Sequence, residues 1–339
     1  MRIVGCLGGG QLGRMLALAG FPLGVRFRFL DPSPDACAGA VGELLVGPYD
    51  DPALLERLAA GAAAVTYEFE NVPVAAARAV GAVPGARALE LGQDRLLEKQ
   101  LFRRLGIATA RFGSVEEAGL PALVKSRRLG YDGKGQRLVE AVEPIGPGEL
   151  AEELVAFDRE LSIVAVRGRD GQTAFYPLAE NVHRNGILAV SRAPAPGAPQ
   201  REAEEIARRL LAELDYVGVL AVELFEAGGR LLANELAPRV HNTGHWTIEG
   251  ATTSQFENHL RAILGLPLGE TAARGDAVLV NLVGSLPPLE RLLAVPGARV
   301  HLYGKAPRPG RKLGHVTLVD ADEAAVAQVV ALAEAAWRA

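Results

Sequence analysis

The stretch Ile3-Val4-Gly5-Cys6-Leu7-Gly8-Gly9-Gly10-Gln11-Leu12-Gly13 decides the fold class of the first part of the chain. Ile3 to Leu7 predicts a short buried strand, and the glycines predict a tight turn into a helix over Gln11 to Gly20. Further strands are predicted at Val25 to Leu30 and at Ala63 to Tyr67. Strands that alternate with helices indicate a parallel sheet covered by helices on both faces.

The glycine turn also has a chemical interpretation. Gly8, Gly10 and Gly13 satisfy the pattern G-x-G-x-x-G, and Asp31 ends the following strand. Backbone N–H groups at such a helix N-terminus bind phosphate, and the pattern is typical of nicotinamide dinucleotide sites. Another phosphate or carboxylate could use the same turn, and tight strand-to-helix turns need glycine in any case. Three interpretations therefore remain open here: a nicotinamide enzyme, another anion site and a structural turn.

Composition limits the function classes. The chain has 339 residues and 49% hydrophobic content, enough for two or three domains. The balance of 36 basic and 40 acidic residues gives a net charge of -4, which argues against nucleic-acid and membrane partners but allows a local cationic pocket. The two cysteines, Cys6 and Cys37, are too few for a disulfide framework. No signal-peptide pattern and no long apolar run is visible, so we expect a soluble, cytoplasmic protein.

Beyond residue 90 the pattern changes to helices and antiparallel strands, which indicates an α+β arrangement. Hairpins are predicted around Asp170-Gly171 and Gly228-Gly229. The predicted elements are a charged helix at 93–105, strands at 110–114, 122–126, 161–167, 173–177, 218–226 and 230–236, and helices at 254–264 and 323–337.

A glycine-rich loop follows the strand that Lys125 closes. The loop Gly130-Tyr131-Asp132-Gly133-Lys134-Gly135-Gln136 has three glycines, so it is able to lie against a polyphosphate, with Lys134 contributing charge. It is not a Walker loop, because no Gly-Lys-Ser/Thr opens a helix here. An ordinary solvated hairpin loop is the alternative.

Glu223 and Glu235 lie in otherwise apolar strands of one predicted hairpin. An unpaired charge is costly in such a strand, and Mg²⁺ that bridges to phosphate is a common partner for two carboxylates. A two-residue turn at Gly228-Gly229 would send Glu235 to the other face, whereas a three-residue loop would place it opposite Glu223. We predict the three-residue loop, or a bulge with the same effect. Two solvent-facing glutamates are the alternative.

Five segments, taken in order, carry a family resemblance: Gly8 to Met15, Tyr67 to Pro73, Gly130 to Gln136, Asn234 to Arg239 and His241 to Thr247. Together they resemble the 5-(carboxyamino)imidazole ribonucleotide synthase family of ATP-grasp enzymes, and the similarity runs from about residue 3 to His315. Two departures are Val240, where the family usually has proline, and Thr243, where serine is common. Both keep the neighbouring Arg239, His241 and Asn242 in place.

The resemblance implies an ATP-grasp fold, α/β and α+β, with three parts. These are an N-terminal parallel α/β domain at 1–92, an ATP-grasp domain at 93–268 with a mobile lid at about 108–155, and a small C-terminal β-rich domain at 269–339. It implies an ATP-dependent carbon–nitrogen ligase of purine biosynthesis that carboxylates aminoimidazole ribonucleotide with bicarbonate through carboxyphosphate. The implied cofactors are ATP and Mg²⁺ or Mn²⁺, and a homodimer is implied.

The resemblance also implies roles for particular residues. ATP phosphates would meet Lys99, Lys125 and Gly130 to Gln136; adenine and ribose would meet Glu152, Glu153, Leu154, Val155 and Glu160; His183 and Asn234 would line the nucleotide site. Glu223 and Glu235 would hold the metal ion. The ribonucleotide would meet Gln11, Glu70, Arg239, His241, Asn242, Thr243, Lys305, Arg311 and Lys312. Tyr131, Asp132, Lys134, Arg239 and His241 would act at the reaction centre.

Rival functions remain distinguishable. An ATP-grasp ligase with another acyl donor, such as formate, would share the nucleotide site but differ in the segment from Arg239 to Thr247 and in the tail. A nicotinamide oxidoreductase explains only the first 35 residues. A non-catalytic nucleotide-binding regulator would not need both a metal set and a substrate set.

Overall fold

The computed structural model of the protein describes residues 2–130 and 135–337. Its N-terminal part is a parallel four-stranded sheet, which confirms the predicted parallel sheet but contains one strand more than predicted, and the strand order is β3-β2-β1-β4. The strands are β1 (Arg2–Leu7), β2 (Val25–Asp31), β3 (Glu43–Val46) and β4 (Ala62–Tyr67), and the helices are α1 (Gln11–Gly20), α2 (Pro52–Ala59), α3 (Val74–Ala79) and α4 (Ala86–Gly92). Leu7 and Tyr67 are buried on one face of the sheet and Cys6 on the other, because side chains alternate along a strand.

A second, antiparallel four-stranded sheet has the order β5-β8-β6-β7. The strands are β5 (Phe112–Gly113), β6 (Ala122–Ser126), β7 (Gln136–Val139) and β8 (Glu149–Glu153), and the same part of the chain contains the helices α5 (Arg95–Arg104) and α6 (Val115–Ala118). Helix α5 begins at Arg95, two residues later than predicted, because the Asp94 side chain accepts a hydrogen bond from the Leu96 N–H and caps the helix.

The largest sheet has nine strands and includes the C-terminal strands of the described chain. Its first part consists of β9 (Arg159–Arg167), β10 (Thr173–Phe175), β11 (Ala179–Arg184), β12 (Ile187–Ala193), α7 (Gln200–Glu213), β13 (Gly218–Ala227) and β14 (Arg230–Ala237). The tail adds α8 (Thr247–Gly250), α9 (Gln255–Ile263), β15 (Ala277–Gly284), α10 (Leu289–Leu293), β16 (Arg299–Leu302), β17 (Arg308–Val319) and α11 (Glu323–Trp337). Because β12 pairs with β15, the C-terminal tail continues this nine-stranded sheet, which is called the central sheet below. No helix among the described residues combines the length and the apolar character that a membrane span requires.

The hairpin of β13 and β14 differs from the favoured prediction in its turn but has the predicted pairing of glutamates. Ala227 pairs with Arg230, so the loop contains only Gly228 and Gly229, and the three-residue loop is wrong. Both glycines have positive φ, which a two-residue turn of this kind requires. A bulge between Glu223 and Leu224 then shifts the register, and Glu223 pairs with Glu235. The bulge with the same effect, which the prediction included, is therefore confirmed.

Candidate active site

One cleft of about 910 Å³ is bordered by the parallel sheet, the antiparallel sheet and the central sheet. It brings together most of the residues that the sequence singles out. They are Gln11, Glu70, Lys125, Gly130, Gln136, Glu160, His183, Glu223, Asn234, Glu235, Arg239, His241, Asn242, Lys305, Arg311 and Lys312. The cleft therefore joins the hairpin glutamates to the basic residues of the tail.

Some predicted residues lie elsewhere. Lys99, Glu152 and Thr243 are buried behind the wall of the cleft. Gly135, Glu153, Leu154 and Val155 are also outside the lining. Tyr131, Asp132, Gly133 and Lys134 fall outside the described residues.

Two groups stand out among the lining residues that the sequence analysis missed. The first is Glu68, which contacts the glycine turn, and Arg95, which pairs with Glu235. The second is an apolar wall formed by Leu123, Phe157, Ile187, Leu188 and Phe225, in which the rings of Phe157 and Phe225 stack 4.7 Å apart. The charge of Glu68 directly after a buried strand was an available signal. The apolar wall had none, because its members come from four segments of the chain.

The glycine turn binds a carboxylate of the protein itself. Glu68 is buried, and its carboxylate oxygens accept hydrogen bonds from the N–H groups of Gly10 (2.9 Å) and Gly13 (3.3 Å). Asp31 accepts the N–H of Gly9 at 2.8 Å. Burial raises the pKa of Glu68, and the two glycine N–H groups oppose that rise. The donors that a dinucleotide phosphate would need are thus occupied internally, which removes the main support for a nicotinamide site.

The paired carboxylates of the hairpin are less well satisfied. Arg95 donates to Glu235 at 3.0 Å, while Glu223 Oε1 lies 3.6 Å from Nε2 of His241, a side chain whose pKa is lowered by burial. Burial, followed by the charge of Glu235, raises the pKa of Glu223 to about 7. Burial also opposes ionisation of Glu235, but Arg95 outweighs it and lowers the pKa of that carboxyl.

The donor set fits a divalent cation that is shared with a phosphate ligand. Asn234 directly precedes Glu235 in the sequence. Its buried side-chain oxygen Oδ1 has no hydrogen-bond partner among the described residues. Nowhere in residues 2–130 and 135–337 do three or more His, Cys, Asp or Glu side chains form a metal-binding group. A cation here would therefore draw its remaining ligands from water and ligand oxygens, which is the usual behaviour of Mg²⁺.

A buried ion-pair network supports the nucleotide side of the cleft. Glu152 Oε2 lies 3.2 Å from Lys99 Nζ and 3.0 Å from Lys125 Nζ. Burial opposes ionisation of Glu152, but the two lysines outweigh it and lower the pKa of Glu152 to about 2. Lys99 Nζ also donates to the carbonyl of Asn234 at 2.8 Å. Lys99 therefore anchors the strand that carries Glu235, while Lys125 reaches the cleft surface.

The opposite end of the cleft is basic. Arg239 forms an ion pair with Glu70, and Lys305 Nζ donates to Gln11 Oε1 at 2.8 Å. Burial and the charge of Arg311 lower the pKa of Lys305 to about 8. Arg239 and Lys305 thus each contact a residue near the N-terminal sheet, so the tail and that sheet meet at this end of the cleft.

His183 lies on the hairpin side of the cleft and forms a hydrogen-bonded pair with Glu160. Burial alone would lower the pKa of His183, but the hydrogen bond to Glu160 and the charge of Glu223 outweigh burial and raise it. His241 differs, because burial and the nearby Arg239 lower its pKa.

The fold and cleft define an ATP-grasp protein. The profile described as the ATP-grasp domain matches residues 100–256, and the ribonucleotide synthetase preATP-grasp domain matches residues 1–93. The phosphoribosylaminoimidazole carboxylase C-terminal domain matches residues 277–329. The chain belongs to the N5-carboxyaminoimidazole ribonucleotide synthase family.

Similarity to particular relatives spans almost the full length of both chains. The N5-carboxyaminoimidazole ribonucleotide synthase of Pseudomonas aeruginosa is 49% identical over 98% of this chain and 99% of its own. The crystal structure of the synthetase from Thermus thermophilus is 55% identical and covers 97% of this chain and 98% of its own, with a TM-score of 0.92. The Aspergillus clavatus synthase in complex with ADP and 5-aminoimidazole ribonucleotide is 30% identical, with a TM-score of 0.88 and coverage of 100% and 99%.

Proposed function

We propose that this protein carries out the reaction of its family, the ATP-dependent carboxylation of 5-aminoimidazole ribonucleotide. Bicarbonate attacks the γ-phosphate of ATP and gives carboxyphosphate and ADP. Carboxyphosphate breaks down to CO₂ and phosphate, and the ribonucleotide amine captures CO₂ with loss of a proton. The observation that carries the proposal is the single cleft in which Glu223 and Glu235 face a basic subsite that contains Arg239 and Lys305.

The nucleotide half of the cleft would hold ATP against the hairpin. Glu223 and Glu235 would hold Mg²⁺ or Mn²⁺, which offsets charge on the phosphoryl group when bound. Lys125 points into this half and would meet a phosphate oxygen, with Lys99 fixing the strand behind it. The apolar wall around Phe157 and Leu188 offers a surface for the adenine. Glu160 and His183 would meet the ribose side.

The ribonucleotide half would use the basic subsite. Arg239, Asn242, Lys305, Arg311 and Lys312 would meet the phosphate, because cations and amide N–H donors suit a dianion. Gln11, Glu70 and His241 complete the proposed substrate set in the cleft, while Thr243, also predicted, is buried behind it with Oγ1 3.0 Å from His241 Nδ1. A phosphate that binds Arg239 would compete with the ion pair between Arg239 and Glu70. In the free enzyme Glu70 would therefore occupy the position of the phosphate.

Chemistry at the reaction centre needs protection from water, because carboxyphosphate is labile. The loop Gly130 to Gln136 would close over the cleft and exclude water. In this proposal Tyr131, Asp132, Lys134, Arg239 and His241 surround the reacting groups. The proton that leaves the amine would be taken by Asp132 or by the phosphate released in the reaction.

The division into three parts is also a proposal. It places the substrate domain at 1–92, the ATP-grasp domain at 93–268 with the lid at about 108–155, and the C-terminal unit at 269–339. We further propose a cytoplasmic homodimer that has neither nucleic acid nor membrane as a partner.

The test is ADP release by the purified protein with Mg²⁺, ATP, bicarbonate and aminoimidazole ribonucleotide, each omitted in turn. We expect rapid release only when all are present, with product formation equal to ADP release. Equal release with formate in place of bicarbonate would make the donor assignment wrong. Failure of the magnesium-supplied protein to bind ATP would overturn the proposal, and tight binding of NADH in its place would restore the dehydrogenase interpretation.

A further inference from the structure

Gln255 holds the backbone of a cleft residue from the protein interior. It is the first residue of α9 and is fully buried. Its Oε1 accepts a hydrogen bond from the N–H of His241 at 2.9 Å, and its Nε2 donates to the C=O of His241 at 2.6 Å. One side-chain amide thus satisfies both backbone groups of a single residue, as a neighbouring β-strand would do.

This double contact fixes the backbone of His241 and therefore the direction of the Cα–Cβ bond from which the ring projects. The N–H and C=O groups belong to the peptide planes on either side of the His241 Cα, so holding both restricts φ and ψ together. The residue is extended, with φ -128° and ψ 154°. The ring is placed with Nδ1 3.0 Å from Thr243 Oγ1 and Nε2 3.6 Å from Glu223 Oε1.

Gln255 is itself held in place. Its own N–H donates to Thr247 Oγ1 at 2.9 Å, and that hydroxyl donates to the Gly244 carbonyl at 2.6 Å. Its Nε2 also lies 3.3 Å from His245 Nδ1. A Cβ at Gly244 would come within 2.7 Å of the Gln255 amide, so the loop packs directly onto the side chain. These contacts restrict the Gln255 side chain to the conformation in which it binds the His241 backbone.

We propose that Gln255 is a positioning residue for the reaction, and that it acts through His241 without touching substrate. The inference rests on the proposed function to the extent that His241 takes part in it. Gln255 does not line the cleft, so a direct contact with a ligand is not its role. A displacement of a reacting group by about 1 Å costs on the order of 10²-fold in rate, which sets the effect expected when the contact is lost.

The same helix offers a matched control. Asn258 is equally buried, and its amide makes the same double contact with one backbone residue, Gly269. Asn258 Oδ1 accepts the Gly269 N–H at 2.7 Å and Nδ2 donates to the Gly269 carbonyl at 3.1 Å. Neither Asn258 nor Gly269 lines the cleft. Asn258→Leu therefore removes an amide of the same kind, together with its 2.8 Å hydrogen bond to the Tyr176 hydroxyl, and breaks no hydrogen bond to His241.

The experiment is a double-mutant cycle on kcat with Gln255→Met, His241→Ala and the double variant, followed as ADP release over hours so that low rates are measured. We expect Gln255→Met to lower kcat on the order of 10²-fold with the KM for ATP within about twofold. In the His241→Ala background the same change should cost less than about twofold. If Gln255→Met lowers kcat by the same factor in the parent and in the His241→Ala background, the proposal is overturned.

The outcomes separate this inference from the proposed function. If His241→Ala keeps full activity, the assigned role of His241 is wrong, and the positioning inference fails with it. If His241→Ala loses activity but Gln255→Met acts additively, only the positioning inference fails. Asn258→Leu should lower Tm about as much as Gln255→Met but leave kcat within about twofold.

Two further measurements guard against misfolding of Gln255→Met. Amide hydrogen exchange at the His241 N–H should rise at least about tenfold in that variant and stay unchanged in Asn258→Leu. Gly244→Ala, which presses on Gln255 but removes no hydrogen-bonding group, should reproduce the loss of kcat in milder form. Unchanged exchange at His241 together with unchanged kcat in Gly244→Ala overturns the proposal.

Discussion

The glycine turn and the glutamate hairpin both hold acidic side chains at the same cleft, but in opposite surroundings. At the turn, Glu68 receives two backbone N–H donors. At the hairpin, Glu223 faces Glu235 across the strand pair, and Arg95 donates to Glu235. The first region supplies its own carboxylate to a set of backbone donors, whereas the second places two buried carboxylates together, with an arginine bound to Glu235. The comparison teaches that a phosphate-binding pattern can be satisfied internally, and that two adjoining buried carboxylates fit the external cation that we propose.

The largest effect is expected from a change at the hairpin. Glu235→Gln removes one negative charge from the proposed metal site, so turnover should fall on the order of 10³-fold, as for loss of a major electrostatic contact in a transition state. The fold should persist because Gln keeps the shape of the side chain. The measurement is kcat for ADP release, with circular dichroism to check the fold.

Glu226→Gln is the matched control for the hairpin. Glu226 lies on the partner strand β13, three residues after Glu223, and pairs with Arg159 outside the lining of the cleft. It should keep kcat within about threefold, because a partly exposed ion pair contributes little. A similar loss in both variants would mean that the hairpin as a whole, and not the carboxylate pair, carries the effect.

A smaller effect is expected at the basic end of the cleft. Arg239→Ala removes a charge-assisted contact worth about 1.5–3 kcal/mol, so the apparent KM for the ribonucleotide should rise about 10- to 100-fold. The KM for ATP should change little, because Arg239 lies at the end of the cleft that faces Glu70. Steady-state kinetics with each substrate varied in turn gives both constants. A rise confined to ATP would move Arg239 into the nucleotide site.

The sequence predicted the elements better than the contacts between them. Strand and helix periodicity located β1, α1 and α11 within a residue, because burial repeats locally along the chain. Residue order could not show that Lys99 would turn inward to Asn234, or that β12 and β15 would join the tail to the central sheet. Such pairings depend on long-range packing. The short strand β3 was not predicted either, because four residues are too few to show an alternating pattern of apolar and polar side chains.

The hairpin shows the same limit at the site. Two glutamates in apolar strands were visible at once, and their pairing was predicted, but the turn was wrong because a bulge has no local sequence signature here. Glu68 was passed over for a different reason. The glycine motif suggested an external phosphate, and only the structure shows that a residue 58 positions from Gly10 fills the turn.

Glu68→Gln tests the glycine turn, the first of the two regions compared above. The amide keeps one acceptor but presents an NH₂ group to a backbone N–H that needs an acceptor, so the free energy of unfolding should fall by about 1–3 kcal/mol. Urea unfolding at neutral pH measures the change. Glu90→Gln, at an exposed position, should stay within about 0.5 kcal/mol of the parent. Equal values for the two variants would mean that the turn does not depend on its internal anion.

The smallest effect concerns His183, the titratable cation beside the carboxylate pair. Its folded-state pKa is raised, so its contribution to stability is fully present below its unfolded pKa of about 6.5 and is lost as pH rises through the folded value. We expect His183→Gln to cost less than about 1 kcal/mol at pH 6, since the pair is partly exposed, and nothing measurable at pH 9. Urea unfolding of both proteins across this range gives the difference. His259→Gln is the control: burial lowers the pKa of His259 to about 3, so its larger cost should be flat over the same range. A pH-independent cost at His183 would show that its hydrogen bond to Glu160 acts without a charge, and that the hairpin has no titratable counter-ion of its own.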